Sequence, residues 1–213
     1  MIPLVIAGPP GSGKTSLLLR LLPRLAQDGP VRYVKVDCLA TRDHELVSER
    51  LGLPAQALLA DPACPDHALA EALAGWLRAA WSDGTAWLVI ETAGLCDRCT
   101  AFLEGAPSVQ VIDLLKNVHA AAKMRVPLRA ADLVVLTKGS LVSPAERELV
   151  AALVTRLNPA ARVLPFDGLT GEGLERVVAM LKGAPTFAPR PVVALRQALP
   201  NGRCDVCQQG LAG

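Results

Sequence analysis

Residues Gly8 to Thr15 read GPPGSGKT and follow the apolar run IPLVIA at residues 2–7. This octapeptide matches the pattern G-x-x-x-x-G-K-[ST] in full, and the Leu-rich segment at residues 14–26 supplies the helix that the pattern requires after it. The glycines allow the backbone to wrap an anion, and the helix N-terminus adds its dipole and free N–H groups. The chain is therefore restricted to folds in which a buried strand delivers a phosphate-binding loop to a helix.

Segments that favour strands and segments that favour helices alternate along the rest of the chain. Apolar runs of strand length are at residues 2–7, 31–36, 85–91, 108–113, 132–137 and 162–166, and helical periodicity is at about residues 14–26, 66–81, 144–157 and 171–182. This alternation predicts an α/β fold, a three-layer P-loop NTPase domain with a mainly parallel sheet and helices on both faces. Hydrophobic residues make up 51% of the chain and provide its core.

The character of the sequence changes after about residue 183. Prolines at positions 185, 189, 191 and 200 interrupt helices and remove backbone donors. We therefore expect a P-loop nucleotide-binding domain over residues 1–183 and a Pro-rich tail over residues 184–213. The tail is expected to lie on the domain or to reach a partner, and its chemistry is confined to one Cys-x-x-Cys pair, Cys204 and Cys207.

Charge and aromatic content argue against several classes of partner. The formal net charge is +2 and aromatic residues are 3% of the chain, which does not favour nucleic acid or a base-stacking surface. No apolar run reaches the roughly 18–20 residues that cross a bilayer. The opening MIPLVIAG lacks the basic segment of a signal peptide. We expect a cytoplasmic protein with neither a nucleic-acid nor a membrane partner.

Candidates for chemistry at the phosphate loop follow from their places in the pattern. Lys14 is expected to contact the β- and γ-phosphates, and the Thr15 hydroxyl is expected to bind magnesium. Glu91 ends the predicted strand TAWLVIE and Asp37 ends the second predicted strand, so either carboxylate would hold magnesium through water or polarise the attacking water. Gly94 would let a backbone N–H approach the γ-phosphate. The expected catalytic residues are Lys14, Asp37 and Glu91, and the expected magnesium ligands are Thr15, Asp37 and Glu91.

The order of these elements resembles a known family, the CobW/HypB/UreG P-loop GTPases of the SIMIBI class, which mature nickel and cobalt enzymes. Five segments over about residues 2–182 carry the resemblance: GPPGSGKTS, DCLATRD, ETAG, LTKGS and GLTGEGLERV. DCLATRD contains Asp37 and, six residues later, Asp43, although its Thr41 is at the fourth position rather than the usual third. Asp43 either faces the nucleotide or caps a helix, since an apolar-periodic segment follows it.

The resemblance implies an enzyme that binds GTP and magnesium, hydrolyses GTP as a slow switch and forms a homodimer. It also implies a transition-metal cargo, zinc or nickel first and cobalt or an iron–sulfur cluster otherwise, delivered to a target metalloenzyme or an accessory protein. The implied nucleotide-binding residues are Gly8, Pro9, Pro10, Gly11, Ser12, Gly13, Lys14, Thr15, Ser16, Gly94, Thr137, Lys138 and Ser140.

Two departures from the family pattern concern the nucleotide base. LTKGS has Ser140 where the family has an Asp, whose carboxylate accepts hydrogen bonds from guanine N1–H and N2–H₂. A serine offers one hydroxyl and no charge, so guanine selectivity is expected to fall. Asp167 and Gly168 stand where the family often has Ser-Ala, and Asp167 either restores an acceptor for guanine or caps the following helix. GTP is the favoured nucleotide and ATP is the alternative.

The cysteines suggest metal chemistry rather than disulfides, because the chain is expected in a reducing compartment. Cys96 and Cys99 form a Cys-x-x-Cys pair that begins two residues after Gly94. A metal bound there would sense whether Gly94 is held by a γ-phosphate. The pair therefore offers a means to couple nucleotide state to metal affinity.

Two thiolates do not complete a tetrahedral zinc site, which takes four ligands. Cys204 and Cys207 would complete it within one chain, or the first pair would meet its copy on a two-fold axis. Square-planar nickel or a [4Fe–4S] cluster also suits four sulfurs. Solitary cysteines and histidines more often pack or lie on the surface, so these further candidates are not favoured: Cys38, Cys64, His44 and His67.

The favoured function is a metal-linked GTPase that serves metal or metallocofactor delivery. An ATP-dependent iron–sulfur carrier with a cluster bridging two subunits is the second hypothesis, and a small-molecule kinase is the third. A zinc-stapled regulator without catalysis also agrees with the sequence, because Ser140 relaxes the nucleotide pattern.

Overall fold

The computed structural model describes residues 1–38, 40–60, 64–94, 99–116, 121, 123–187 and 193–197. The strands are β1 (Ile2–Ala7), β2 (Val31–Asp37), β3 (Ala55–Leu59), β4 (Trp87–Glu91), β5 (Ser108–Asp113), β6 (Leu133–Thr137) and β7 (Arg162–Phe166). The helices are α1 (Lys14–Leu25), α2 (Asp43–Leu51), α3 (Pro65–Ser82), α4 (Arg125–Ala130), α5 (Pro144–Leu157) and α6 (Leu174–Lys182).

The seven strands form one sheet in the order β3-β2-β4-β1-β5-β6-β7, and every neighbouring pair is parallel. All carboxyl ends therefore lie along one edge. The chain builds outward from β1 in both directions, and ligands of open α/β sheets bind at such a switch point. The predicted phosphate loop follows β1 and lies at that point.

The two faces of the sheet carry different helices, as a three-layer fold requires. Helices α1, α2 and α6 pack on one face, and α3, α4 and α5 pack on the other. Strand β1 serves both layers: Leu4 and Ile6 belong to the first core, and Val5 and Ala7 belong to the second. A strand buried on both faces explains the unbroken apolar run IPLVIA, and the predicted fold is confirmed.

Of the seven strands, β3 is the one that the sequence analysis did not predict. Its sequence AQALL has no β-branched residue and no clear alternation, so it has no strand pattern of its own. Pairing with Tyr33–Asp37 of β2 makes it an edge strand. Tertiary pairing, rather than local propensity, determines its conformation.

The described part of the predicted tail lies on the domain. Leu195 pairs with Leu103 in an antiparallel bridge, and the Arg196 N–H donates to the Phe102 carbonyl at 2.8 Å. The Arg196 guanidinium also donates to the Asp132 carboxylate at 2.6 and 2.7 Å. Asp132 immediately precedes β6, so this anchor lies at the amino edge of the sheet, away from the phosphate loop.

None of the helices in the described part of the chain combines the length and apolar character needed to cross a membrane.

Candidate nucleotide-binding site

The phosphate loop runs from Gly8 to Gly13, and two glycines, Gly13 and Gly94, fix its shape. Gly13 precedes α1 with φ 92°, a left-handed conformation that favours glycine. Gly94, with φ 68°, packs so tightly on the loop that a Cβ there would collide with the Gly8 carbonyl oxygen. The segment after β4 is therefore in direct contact with the start of the loop.

Three lysines bind carbonyl groups of the loop. Their contacts are Lys14 Nζ to Gly8 O (2.7 Å) and Pro9 O (3.1 Å), Lys116 Nζ to Pro10 O (2.7 Å), and Lys138 Nζ to Gly11 O (2.8 Å). Burial lowers the pKa of Lys14 to about 8, against the opposing charge of Glu91. The ammonium groups and the exposed N–H groups create a positive potential suited to phosphate. The sequence analysis did not identify Lys116 as part of the loop.

Glu91 is the centre of a buried hydrogen-bond network. It is 1% exposed, and its Oε1 accepts from Thr15 Oγ1 at 3.2 Å and from Lys35 Nζ at 2.8 Å. Its Oε2 accepts from the Tyr33 hydroxyl at 2.7 Å. Burial first, and then the charge of Glu91, raises the pKa of Tyr33 well above its usual range, so the phenol stays protonated and donates. The carboxylate is held in one orientation toward Thr15.

Lys35 links three carboxylates. Its Nζ is 3.0 Å from Asp43 Oδ2 and 3.7 Å from Asp37 Oδ2, in addition to its contact with Glu91. Burial alone would lower the pKa of Lys35, but the carboxylates of Glu91 and Asp43 outweigh burial and raise it. The ammonium group therefore stays charged and balances the acidic groups around it.

Tyr33 and Lys35 are site residues that the sequence analysis missed. Both lie on β2, whose alternation places Tyr33, Lys35 and Asp37 on one face of the sheet. Lys35 is the register partner of Glu91 on β4, which explains their ion pair. A lysine between two buried valines of the strand, two residues before Asp37, was the available signal.

A cavity of about 380 Å³, which we call the phosphate-side cavity, brings the predicted groups together. Its lining comprises Pro10, Gly11, Ser12, Gly13, Lys14, Thr15, Ser16, Lys35, Asp37, Asp43, Glu91, Ala93 and Lys138. Magnesium prefers oxygen ligands, and the Thr15 hydroxyl lies here beside carboxylates whose orientation is fixed. The donor set therefore fits magnesium held together with nucleotide phosphates.

The residues of the LTKGS segment have two kinds of contact: Thr137 and Lys138 bind the phosphate loop, and Ser140 binds Asp167. Thr137 is buried, and its hydroxyl bonds Ser12 O at 2.7 Å and Ile112 O at 3.1 Å, so it supports the phosphate loop from below. Lys138 has φ 60° and donates to Asp113 Oδ2 at 2.6 Å. Both residues anchor this segment to the loop.

Ser140 and Asp167, the two residues that the sequence analysis considered for recognition of the nucleotide base, are in direct contact. The Ser140 hydroxyl donates to Asp167 Oδ2 at 2.7 Å. Gly168 packs against Ser16, because a Cβ on Gly168 would be 3.3 Å from the Ser16 Cβ. The Asp167–Gly168 turn therefore lies next to the start of α1.

A second cavity of about 310 Å³, which we call the rear cavity, lies on the other side of the phosphate loop. Its lining is Ala7, Gly8, Pro9, Pro10, Asp66, Thr92, Gly94, Cys99, Thr100, Gln110, Met124 and Pro127. Thr92 Oγ1 and Gln110 Oε1 have no hydrogen-bond partner among the described residues. Burial raises the pKa of Asp66 to about 7. The sequence analysis did not predict this cavity.

Of the predicted metal-binding cysteines, Cys99 is described, 2% exposed and part of the rear cavity. Cys96, Cys204 and Cys207 lie outside the described residues. Within residues 1–197, gaps excepted, no three His, Cys, Asp or Glu side chains converge in a way that would hold a metal ion. The ring nitrogens of buried His67 lack hydrogen-bond partners among those same residues.

Comparisons with known proteins agree with this geometry. The family model described as CobW/HypB/UreG, nucleotide-binding domain, matches residues 3–165. An uncharacterized protein of Methanocaldococcus jannaschii is 35% identical over 208 residues, which are 95% of this chain and 87% of that protein. Hydrogenase maturation factor HypB of Azotobacter vinelandii is 29% identical over 185 residues, 81% of this chain and 57% of that protein.

Two solved structures share the fold. HypB from Archaeoglobus fulgidus has a TM-score of 0.70 at 25% identity, covering 86% of this chain and 89% of that one. HypB from Helicobacter pylori, solved in complex with nickel, has a TM-score of 0.69 at 20% identity, covering 89% of this chain and 92% of that one.

Proposed function

We propose, from the premise that the chain belongs to the CobW/HypB/UreG family of P-loop GTPase domains, that it hydrolyses GTP as a switch for transition-metal delivery. The observation that carries the proposal is the contact of Gly94 with Gly8 beside Cys99 in the rear cavity. One side of the phosphate loop faces the charged groups that suit a nucleotide. The other side faces the segment in which the first cysteine pair ends.

The residues of the phosphate-side cavity have distinct roles in this reaction. Lys14 and the N–H groups of the loop bind phosphate oxygens. Thr15 would hold magnesium directly, with Asp37 and Glu91 acting through water; magnesium, when bound, neutralises charge on the phosphates. Water attacks the γ-phosphorus, the bond to the β–γ bridging oxygen breaks, and GDP and phosphate leave.

Asp37 and Glu91 divide the remaining tasks. The two oxygens of Glu91 already accept three hydrogen bonds, so Glu91 orients Thr15 rather than moving a proton. The Asp37 carboxylate is held less tightly, because its distance to Lys35 Nζ is 3.7 Å and its side chain is 27% exposed. We therefore assign to Asp37 the task of polarising the attacking water.

The metal is the cargo, and the cysteines are its proposed ligands. Nickel bound to HypB from Helicobacter pylori supports a nickel-like ion, with zinc and cobalt as related candidates. Cys96 and Cys99 would supply two thiolates, completed by Cys204 and Cys207 or by a second copy in a homodimer. Movement of Gly94 with the γ-phosphate would change the spacing of the first pair. The cargo would then pass to a target metalloenzyme.

Anaerobic metal titration tests the proposed coupling between nucleotide state and metal affinity. The full chain is titrated with nickel, zinc, cobalt and ferrous ions in the presence of GDP or a non-hydrolysable GTP analogue. We expect metal affinity to differ between the two nucleotides by about fivefold or more. Cys96→Ala and Cys99→Ala should remove the binding. Lys14→Ala should abolish hydrolysis and the nucleotide effect while leaving metal binding in the nucleotide-free protein.

Equal metal affinity in every nucleotide state would contradict the switch. Normal hydrolysis by Lys14→Ala would contradict the assignment of the phosphate loop. A brown protein that prefers ATP would favour the iron–sulfur carrier instead.

A further inference from the structure

We infer that Ser140 and Asp167 act as one composite reader of the guanine base. The inference deepens the proposed function, on which it rests, because it names how the same nucleotide site selects its base. In the family pattern a single Asp in the T-K-x-D segment supplies both acceptors. Here the two acceptors come from two segments of the chain, LTKGS and the turn at Asp167.

Asp167 keeps acceptor capacity beyond its structural contacts. Its Oδ1 accepts from the backbone N–H groups of Leu169 at 2.8 Å and Thr170 at 2.9 Å. Among the described residues, its Oδ2 accepts from the Ser140 hydroxyl at 2.7 Å, and the Thr170 side chain also hydrogen-bonds the carboxylate. A carboxylate has about four acceptor positions and bonds to charged groups tolerate sharing, so Oδ2 can also accept from a ligand.

The proton of the Ser140 hydroxyl is committed to Asp167. The N–H groups of Thr170 and Leu169, with the Ser140 hydroxyl, lower the pKa of Asp167 to about 2, so the carboxylate has no proton to donate. Ser140 must be the donor of their hydrogen bond. A serine hydroxyl has one proton and two lone pairs, so Ser140 Oγ faces a ligand only as an acceptor.

Two adjacent acceptors match guanine and oppose adenine. Guanine has neighbouring donors at N1–H and N2–H₂, one for each acceptor. Adenine has an acceptor at N1 and no amino group at C2, so one acceptor of the pair would face another acceptor. An unmatched polar contact of this kind costs about tenfold or more in affinity.

The pair is held in place before a nucleotide arrives. Arg20 of α1 donates to the Gly168 carbonyl at 3.1 Å, which ties the Asp167 turn to the helix that follows the phosphate loop. On the other side, the Gly139 carbonyl accepts from Arg147 at 3.2 Å, and Lys138 holds the loop carbonyl of Gly11. Fixed partners lower the entropy cost of recognition.

The test is competition of GDP, IDP, ADP and XDP against a fluorescent GDP analogue on the full chain with magnesium. IDP lacks the N2 amino group, so it removes one donor only. We expect the native chain to bind GDP about a hundredfold more tightly than ADP, with IDP between them. Ser140→Ala should lower the ratio of GDP to ADP affinity by about tenfold.

Asp167→Asn is the sharper variant because it preserves the turn. The amide oxygen can still accept the two backbone N–H groups, while the amide nitrogen replaces Oδ2 with a donor. We expect this variant to lose GDP affinity and to gain XDP affinity, since xanthine has a carbonyl at C2. Ser82→Ala, which removes an exposed hydroxyl bonded to Ala79 O at the far end of α3, is the matched control and should change none of the ratios.

The possible failures separate the inference from the proposed function. Unchanged ratios of GDP to ADP affinity in both variants, or equal binding of GDP and ADP by the native chain, overturn the composite reader and leave the phosphate loop intact. A native chain that binds no nucleotide at all overturns the proposed function, and the composite reader with it.

Discussion

The two sides of the phosphate loop balance buried charge in opposite ways. In the phosphate-side cavity Glu91 accepts from Thr15, Tyr33 and Lys35, and its negative charge is paired with the Lys35 ammonium. In the rear cavity Asp66 is 4% exposed, and burial alone accounts for its raised pKa. Thr92 and Gln110 each present there an oxygen that no described residue satisfies.

The difference shows that, in the part of the chain that the structure describes, this fold holds buried polar groups without partners in the rear cavity and not around Glu91. A buried polar group without a partner costs free energy, whereas a paired charge is costly mainly when its partner is removed. Charge on the phosphate side should therefore be sensitive to loss of a partner. The acid in the rear cavity should be insensitive to neighbouring charges and sensitive to pH.

The largest effect is expected when the Lys35 ammonium, the cation shared by the carboxylates of the phosphate-side cavity, is removed. Lys35→Met leaves the buried Glu91 carboxylate, and the partly exposed carboxylates of Asp37 and Asp43, without their shared cation. The free energy of unfolding should therefore fall by about 3–5 kcal/mol. Urea denaturation measures the change. Lys182→Met is the matched control, since it breaks an exposed pair with Asp28 and should cost less than about 1 kcal/mol. Equal losses in the two variants would show that Lys35 is not needed for charge balance.

Neutralising Glu91 should raise the activation free energy of hydrolysis, by less than Lys35→Met lowers the free energy of unfolding. Glu91→Gln keeps the size of the side chain and removes its charge, and we expect kcat to fall on the order of a hundredfold with little change in KM. Steady-state GTP hydrolysis at saturating magnesium measures both constants. Glu175→Gln, at an exposed carboxylate paired with Arg24, should leave them unchanged. A Glu91→Gln enzyme with native kcat would remove Glu91 from the catalytic set.

The rear cavity supplies a pH dependence of stability, which is the smallest of these effects when it is counted per pH unit. The folded pKa of Asp66 is raised to about 7 from 3.8, so its contribution to stability is complete below about pH 4 and is lost as pH rises toward 7. The decline is about 1.4 kcal/mol per pH unit. Cys99 is the other titratable side chain that lines the described cavity.

Urea denaturation at pH 5, 6 and 7 measures this slope. Asp66→Asn should remove it and should make the protein more stable than the native chain at pH 7. A variant that retains the native slope would place the titration at another group.

Features near the phosphate motif could be predicted because their chemistry is local in sequence. GPPGSGKT predicted the loop, and the place of Glu91 at the end of a predicted parallel strand indicated that it lies beside the loop. Tyr33 and Lys35 could not be predicted in the same way, because their roles depend on β2 lying next to β4. That adjacency is a property of the strand order and not of either strand.

Other elements escaped prediction for similar physical reasons. Strand β3 exists because β2 offers it an edge, and its own residues have no strand pattern. The contact between Ser140 and Asp167 joins positions 27 residues apart, so the sequence presents a missing carboxylate in one segment and an unexplained one in another. The roles of Cys96, Cys204 and Cys207 remain predictions.

The contacts of Arg196 attach the segment that precedes Cys204 to the domain near Phe102. Arg196 bonds the carbonyl of Phe102, and the chain from Phe102 back to Cys99 spans at most about 11 Å at roughly 3.6 Å per residue. From Arg196 onward to Cys204 the contour length is at most about 29 Å. The contour length of the chain thus sets an upper limit on the separation of the two cysteine pairs, and groups joined by a short stretch of chain have a local concentration on the order of millimolar. If both pairs bind metal as proposed, an ion released by one pair would meet the other before it met the same ligands in bulk solution.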